Sequence, residues 1–304
     1  MIGTKQKHNI MRIAKLIPFA VLGLVALGAC NRAELSPARR SLSVEAGIDE
    51  MTKVNTTGNV SSFVAGDKLS LYAWTGSASE IPATRVVDGA VNVLGTDGKW
   101  TSGTPMLWAD LTSVHYFLGI SPERSVTNFT ADAYTLNPAN YEGSDLLIAT
   151  NVTGLKAENN PVSLVFTHAM ARLDVNLSFR NQWAETPAVT AVAATAKKSG
   201  TVNYLTKAVS ATGSAASVAL TAASNEAWSG LQVPQNGVKQ ITITIDGKDY
   251  VFTHTDDIPL SGGKYTTVNL VLGRDRIELA SPITISNWTS QGGAIDGDVF
   301  KPTE

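Results

Sequence analysis

The stretch VSLVFTHAMARLDVNLSFR, residues 162–180, decides how the chain folds. It contains no proline or glycine, and its apolar residues recur at every second position, as in a β-strand. In the first half they are Val162, Leu164, Phe166 and Met170, and in the second half they are Leu173, Val175, Leu177 and Phe179. The first set is even-numbered and the second odd-numbered, and a strand changes phase only at a bulge, a bend or a new partner sheet. We therefore predict that the chain crosses between two domains near residues 169–172.

Alternation of this kind extends over most of the chain. Ile241, Ile243 and Ile245 alternate with threonines, and Asp246-Gly247 then leads into another β-prone run. An Asp-Gly pair between two such runs is typical of a hairpin, because a type I′ turn needs positive φ at both central residues. The pairs Asp88-Gly89 and Asp97-Gly98 suggest the same kind of turn. The sequence therefore predicts an all-β protein built of antiparallel β-sandwiches with about seven strands in each half.

The N-terminus has the pattern of a bacterial export signal. Four basic residues between positions 5 and 15 precede an apolar run from Leu16 to Leu27, and Leu27-Gly28-Ala29-Cys30 follows. A cysteine after small residues at this place is a lipobox, so we expect cleavage before Cys30 and acylation of its thiol and new amino end. The alternative is an uncleaved membrane anchor, but the run is short for a span of ~20 apolar residues. The predicted product is an exported lipoprotein held in the outer membrane through lipid on Cys30.

Length and composition limit the remaining possibilities. We predict a signal peptide at residues 1–29, a linker at 30–40, and β-sandwich domains at 41–170 and 171–304. The net charge is −2, and the 24 basic residues form no large cluster, so nucleic acid is not an expected partner. Cys30 is the only cysteine, so neither a disulfide nor a cysteine metal site is expected within the fold.

Residues with catalytic chemistry form no recognisable set. His115, His168 and His254 have no ligand-type residue at metal-binding spacing, and we expect His168 to be a core histidine with a satisfied ring nitrogen. The Gly-x-Ser-x-Gly elbow of hydrolases and a phosphate-binding glycine loop are missing from the sequence. We predict a protein that is not an enzyme and that needs no metal or cofactor. A hydrolase with carboxylates that meet only in space remains an alternative.

Several segments, in order, resemble the fimbrillin lipoproteins of the Bacteroidales, the major and minor fimbrial subunits. They are FVAGDKLSLY (63–72), Trp100, LW (107–108), HYFLGISP (115–122), DLLIA (145–149), VSLVFTHAMARL (162–173), GGKYTTVNL (262–270) and ITISNW (283–288). The resemblance implies two transthyretin-like sandwich domains. It also implies a structural or anchoring subunit of a cell-surface adhesive pilus, with other pilus subunits as partners and a host or bacterial surface receptor as a further one.

The resemblance further implies assembly by donor-strand exchange. In such subunits a trypsin-like protease removes the first strand, and a strand of the next subunit fills the groove. The candidate first strand is residues 41–46, with Leu42, Val44 and Ala46 on one face. The tail after Trp288 is short and rich in glycine, and only Val299 and Phe300 are suited to donation.

The processing site departs from the family pattern of Thr-Arg between the first strand and the Gly-Asp strand. This chain has Thr52-Lys53 there, whereas the basic pair Arg39-Arg40 precedes the first strand. Either a protease accepts Lys53, or the subunit stays uncut and is an anchor or a non-polymerising relative. All three basic residues also suit a solvated linker.

A different functional class remains open. The six tryptophans could include platforms on which sugars stack, although core packing is their commoner role. The alternative function is therefore a surface carbohydrate-binding lipoprotein. Solvent-exposed, coplanar aromatic rings flanked by Asn, Asp or Arg would favour it, whereas a long groove under residues 42–46 would favour the pilus subunit.

Overall fold

In a computed structural model of the chain, the structure describes residues 40–48 and 62–288. These residues form 20 strands, one short helix at Tyr141–Ser144 and a 3-10 turn at Ala157–Asn159. The prediction of an all-β fold is confirmed. The strands are β1 (Val44–Ile48), β2 (Lys68–Thr75), β3 (Val87–Leu94), β4 (Trp100–Ser102), β5 (His115–Ser121), β6 (Asp132–Thr135), β7 (Leu147–Leu155), β8 (Val162–His168), β9 (Ala171–Phe179), β10 (Val189–Ala196), β11 (Ser199–Asn203), β12 (Ala208–Thr212), β13 (Ala216–Ala219), β14 (Thr221–Ala222), β15 (Ala227–Gln232), β16 (Gln240–Ile245), β17 (Lys248–Thr253), β18 (Lys264–Leu272), β19 (Ile277–Leu279) and β20 (Thr284–Asn287).

A seven-stranded sheet in the order β1-β8-β7-β5-β2-β3-β4 dominates the first half of the described chain. Its two end strands, β1 and β4, lie close to each other, so the sheet curls around its own inner face. Alternate residues of β2 enter two different cores. Leu69 and Leu71 point into the core enclosed by the curled sheet, called the inner core below, and Tyr72 and Trp74 point outward into a second core. Strand β2 is thus buried on both faces over most of its length.

The second half folds as sheets that share one core. A six-stranded sheet contains β14-β15-β9-β18-β19 with β20 beside β18, and a four-stranded sheet has the order β13-β10-β16-β17. Their apolar residues, such as Val175 on β9, Val268 on β18 and Ile243 on β16, belong to one buried cluster. A third sheet, β12-β11-β6, joins the halves, because β6 precedes residue 170 and pairs with β11. The division into domains 41–170 and 171–304 stays a prediction.

The change of phase coincides with a change of sheet. The chain leaves the seven-stranded sheet after His168 and enters the six-stranded sheet at Ala171. At the crossing, Ala169 N–H donates to Leu146 O at 2.8 Å and Met170 O accepts from Gly263 N–H at 2.9 Å. A new partner sheet, one of the three explanations that the sequence allowed, accounts for the phase shift.

The structure differs from the sequence interpretation in two details. The sheets are not purely antiparallel, since β1 pairs with β8 and β9 pairs with β18 in parallel. Asp88-Gly89 lies inside β3 at a register shift opposite β2, where Gly89 has φ of 67°, so it forms a bulge and not a hairpin turn. The hairpin at Asp246-Gly247 is confirmed, because the two residues have φ of 50° and 74° between β16 and β17.

Gly119 on β5 offers a direct test of the packing inside the curled sheet. A Cβ atom at Gly119 would lie 2.6 Å from Cζ of Phe166, whereas at Gly47 on β1 it would meet no atom within 4 Å. We expect Gly119→Ala to lower the free energy of unfolding by about 1–3 kcal/mol, because the core must shift to accept a methyl group. Gly47→Ala is the matched control and should change it by less than about 0.5 kcal/mol. Urea unfolding measures both, and equal effects would contradict this packing.

Candidate functional site: the first strand and its groove

The first strand segment, defined as residues 40–48, closes the curled sheet by pairing with two different neighbours. At its start, Leu42 N–H donates to Met106 O at 2.9 Å and Trp108 N–H donates to Arg40 O at 3.0 Å. From Val44 onward it runs parallel to β8, with Val44 opposite Val162 and Ile48 opposite Phe166. The segment therefore bridges the gap between β8 and the chain at residues 106–108.

Every second side chain of the segment enters the inner core. Leu42 and Val44 are each only 4% exposed, and Ala46 and Ile48 are half-buried against the same cluster. Glu45 lies on the exposed side between them. The predicted face of Leu42, Val44 and Ala46 thus faces the core, although the β1 ladder extends to Ile48, beyond the predicted end at Ala46. Whether this strand is exchangeable stays a prediction.

Polar contacts fix the register of the segment on one side only. Asn160 Oδ1 accepts from Ser43 N–H at 2.9 Å, and Asn160 Nδ2 donates to Ser43 Oγ at 3.1 Å. Ser43 O in turn accepts from Val162 N–H at 2.9 Å. The other edge of β1 has no neighbouring strand among residues 40–48 and 62–288, because β1 is the end strand of its sheet.

A groove of about 760 Å³ lies along that open edge. It separates β1 from β4 and has both apolar and polar walls. Its lining residues are Ser43, Val44, Glu45, Ala46, Gly47, Ile48, Ser62, Phe63, Leu94, Gly98, Lys99, Trp100 and Pro161. A second cavity, of about 340 Å³, begins at the end of β1 and shares Ile48, Ser62 and Phe63 with the groove. The end of β1 therefore borders both spaces.

A buried polar pair adjoins the second cavity. Asp145, which lines this cavity, holds Nδ1 of His168 with Oδ1 at 2.5 Å, and both side chains are fully buried. The ring of Trp288 stacks on His168 with centroids 3.8 Å apart and planes 8° apart. Asp145 Oδ2 and His168 Nε2 have no hydrogen-bond partner within the described part of the chain. The sequence predicted a core histidine with a satisfied ring nitrogen; one nitrogen is bonded and the other is not.

Two tyrosines near Asp145 have strongly perturbed acidity. Burial, and next the negative charge of Asp145, raise the pKa of Tyr134 to about 12. The Tyr134 hydroxyl donates to Ser144 O at 2.5 Å. The same two causes raise the pKa of Tyr141. Because a phenolate would lie in an apolar site beside a carboxylate, the fold keeps both phenols neutral.

The other predicted residues have simpler positions. Arg40 is exposed. Cys30, Arg39, Lys53, Val299 and Phe300 lie outside the described residues. His115 is buried, with Nε2 accepting from Ala109 N–H at 3.1 Å and Nδ1 at 3.0 Å from Ser113 O. His254 has Nδ1 at 3.0 Å from Asp256 O.

The described chain carries no exposed tryptophan, since five are buried and Trp183 is half-buried. Within the same residues, no group of three or more His, Cys, Asp or Glu side chains is arranged to hold a metal ion. Nor does any helix among them have the length and apolar character needed to cross a membrane.

The burial of Val44 provides a test of how firmly the first strand is needed. Val44→Ala should lower the free energy of unfolding by about 1–3 kcal/mol, because it leaves space in the inner core. Val165→Ala is the matched control, because Val165 on neighbouring β8 is 53% exposed, and its effect should stay below about 1 kcal/mol. Thermal and urea unfolding of both variants measure the difference, and similar losses would contradict the inward placement of Val44.

The perturbed phenol of Tyr134 predicts a loss of stability in alkali. Its pKa is about 12 in the folded chain against an ordinary value of 10.0, so the unfolded chain ionises first as the pH rises. The stability that the neutral Tyr134 contributes to the fold is therefore complete below pH ~10 and is lost as the pH rises through ~12. Tyr134→Phe should make the fall in stability between these limits shallower, by up to about 1.4 kcal/mol per pH unit. Urea unfolding at several alkaline pH values tests this, and an unchanged slope would contradict it.

Comparison with known proteins identifies a family for this chain and solved structures that share its fold. The model of a protein family described as fimbrillin-like matches residues 52–288 of this chain. Two solved candidate cell adhesion proteins, from Bacteroides ovatus and Bacteroides uniformis, are each 16% identical, with TM-scores of 0.64 and 0.62; the matches cover 83% and 82% of this chain and 98% and 99% of theirs.

A fimbrial protein from Bacteroides vulgatus is 11% identical with a TM-score of 0.51, and the match covers 82% of this chain and all of that one. At these identities, the likeness to solved structures shows a shared fold. No curated protein matches the chain. Since the family match spans more than half of its length, this chain belongs to the fimbrillin-like family.

Proposed function

We propose that this protein is a lipid-anchored, surface-exposed subunit of an adhesive pilus, with a structural or anchoring role, and that it assembles by donor-strand exchange. In this proposal the first strand segment fills the inner core of the precursor. Proteolysis releases it, and a strand from another subunit then takes its place. The observation that carries the proposal is the position of β1, an end strand with a buried inner face and an open outer edge.

The energetics favour a replaceable strand at this position. Burying a side chain the size of Val or Leu contributes about 1.5–3 kcal/mol, so Leu42 and Val44 supply a large part of what the segment gives to the fold. Loss of the segment would uncover apolar walls such as Phe63, Trp100 and Trp108. An exposed sheet edge above an apolar groove is a template for an added strand, whose backbone bonds give affinity and whose alternate side chains fill pockets.

The sequence supplies the features that processing needs. Lys53 lies in the connection between Ile48 and Ser62, so a cut after it would separate the first strand segment from the rest of the fold. A cut at Arg39 or Arg40 would release the protein from lipid on Cys30 and leave the segment in place. Two or more acyl chains hold a protein firmly on a membrane, which keeps the precursor at the cell surface until it is cut.

Protease treatment of the purified lipoprotein tests the proposal. We expect a trypsin-like protease to remove everything through Lys53 and SDS-resistant ladders to appear. Loss of the first strand segment exposes apolar surface of the inner core, and only another strand covers this surface well. Intact-mass spectrometry locates the cut, and gel electrophoresis with size-exclusion chromatography measures assembly.

Variants that replace the basic residues with uncharged glutamine distinguish between the candidate cleavage sites. Lys53→Gln should abolish both the cut and the ladders, whereas the double variant Arg39→Gln/Arg40→Gln should assemble as the wild type does. A chain that loses the segment and stays monomeric would contradict the proposal. A cut found only at Arg39 or Arg40 would contradict it as well.

A further inference from the structure

The second cavity, of about 340 Å³, lies at one end of the seven-stranded sheet, where several strands begin or end. Its lining includes Ile48 at the end of β1, Lys68 at the start of β2, Ser121 at the end of β5 and Leu147 at the start of β7. Asp145, between the short helix and β7, lines it as well. Small-ligand sites in proteins span ~300–1,000 Å³. The cavity therefore has room for a small ligand or for one side chain of a partner.

Asp145 brings a buried carboxylate to this cavity. Its side chain is fully buried, and Oδ1 lies 2.5 Å from Nδ1 of His168. His168 is not one of the residues that line the cavity, so Oδ2 is the carboxylate oxygen left for the cavity side. Among the residues that the structure describes, Oδ2 has no hydrogen-bond partner. Because an unpartnered buried carboxylate oxygen loses its hydration, a hydrogen-bond donor in the cavity would be favourable.

The lining of the cavity has an excess of negative charge. The acidic residues in it are Asp67, Glu123, Glu142 and Asp145, against Lys68 as the one basic residue of the described lining. Lys68 Nζ lies 3.2 Å from Glu123 Oε1, so this pair is neutral as a whole. Glu142, in the short helix next to Asp145, is exposed. The charge that remains favours a cation over an anion or a neutral ligand.

The chemistry of the lining distinguishes between kinds of cation. A calcium ion takes 6–8 oxygen ligands, and within residues 40–48 and 62–288 no three His, Cys, Asp or Glu side chains are arranged to hold a metal ion. A guanidinium binds a carboxylate best through both oxygens, whereas Asp145 has only one unbonded oxygen. A primary ammonium is a compact charge with three donors, which suits one carboxylate oxygen and a polar surrounding.

We propose that this cavity binds a primary alkylammonium group, with its nitrogen at Oδ2 of Asp145 and its carbon chain against Ile48, Phe63 and Leu147. Such a group is the end of a lysine side chain or a small free amine. The exposed carboxylate of Glu142 attracts the cation from solvent. The site belongs to the uncut precursor, so the inference goes beyond the proposed function and does not depend on strand exchange.

Titration of the uncut, full-length lipoprotein with n-butylammonium chloride, followed by NMR, tests the site. We expect saturable binding at least tenfold tighter than that of n-butanol, which has the same carbon chain without the charge. The amide of Nα-acetyl-lysine should likewise bind more tightly than the amide of Nα-acetyl-arginine. Tighter binding of n-butylammonium than of the lysine amide indicates a free amine as the natural ligand, and the reverse order indicates a lysine side chain.

Variants locate the binding. Asp145→Asn should weaken binding of n-butylammonium about tenfold, because it removes the charge that bonds the ammonium. Glu142→Gln should weaken it about twofold, since an exposed charge is screened by solvent. Glu158→Gln is the matched control and should leave it unchanged, because Glu158 is exposed and lies outside the lining.

The inference is overturned if n-butylammonium does not bind saturably, or if n-butanol or the arginine amide binds as tightly as its ammonium counterpart. Wild-type affinity in a folded Asp145→Asn variant would overturn it as well. If Asp145→Asn does not fold, the comparison of Glu142→Gln with Glu158→Gln decides, and equal affinities of these two variants count against the site.

Discussion

Burial of Leu42 and Val44 inside the curled seven-stranded sheet is the interaction on which the rest of the structure depends. The sheet curls so that β4 comes near β1 without a continuous ladder between them. The first strand segment covers the inner core at this seam. It pairs antiparallel at its start and parallel afterwards, so its inner face is buried while one edge remains open.

The first strand segment stabilises the fold, and yet nothing in this arrangement requires that particular strand. Its contribution comes from a few alternating apolar side chains and one row of backbone bonds. Another strand with the same alternation can supply both, because neither depends on a residue of unusual chemistry. The polar contact between Ser43 and Asn160 sets the register but lies near the surface. A core that needs a strand but specifies it only by alternation suits a protein that exchanges one strand for another.

Where the seven-stranded and six-stranded sheets meet, by contrast, the contacts are specific to particular residues. There the crossing at residues 169–170, the turn at Gly262-Gly263 and Trp288 contact one another, and a Cβ atom on Gly262 would lie only 2.8 Å from Ala169 O. The buried Asp145–His168 bond adds a contact with strict geometry. The molecule thus closes the gap between β1 and β4 by general apolar burial. It closes the crossing between the two large sheets by specific contacts.

Local alternation predicted much of the fold and little of this junction. The phase shift between Phe166 and Leu173 located the change of sheet, and the alternation of Leu42 and Val44 gave the buried face of the first strand segment. Alternation does not identify the partner of a strand, so the parallel pairings of β1 and β9 could not be predicted. Asp145 and Trp288 lie far from His168 in sequence, and only a lone acid before an apolar run and a lone histidine in one hinted at the pair.

Binding of a strand in trans is the most direct test of the central claim that the first strand segment is replaceable. After cleavage at Lys53, a labelled peptide of residues 41–48 is added to the chain, with a peptide carrying Leu42→Asp and Val44→Asp as the control. The claim predicts saturable binding and a raised Tm with the native peptide only, because its apolar face refills the core. A cleaved chain that keeps its original Tm after losing the segment, and that binds neither peptide, would contradict it.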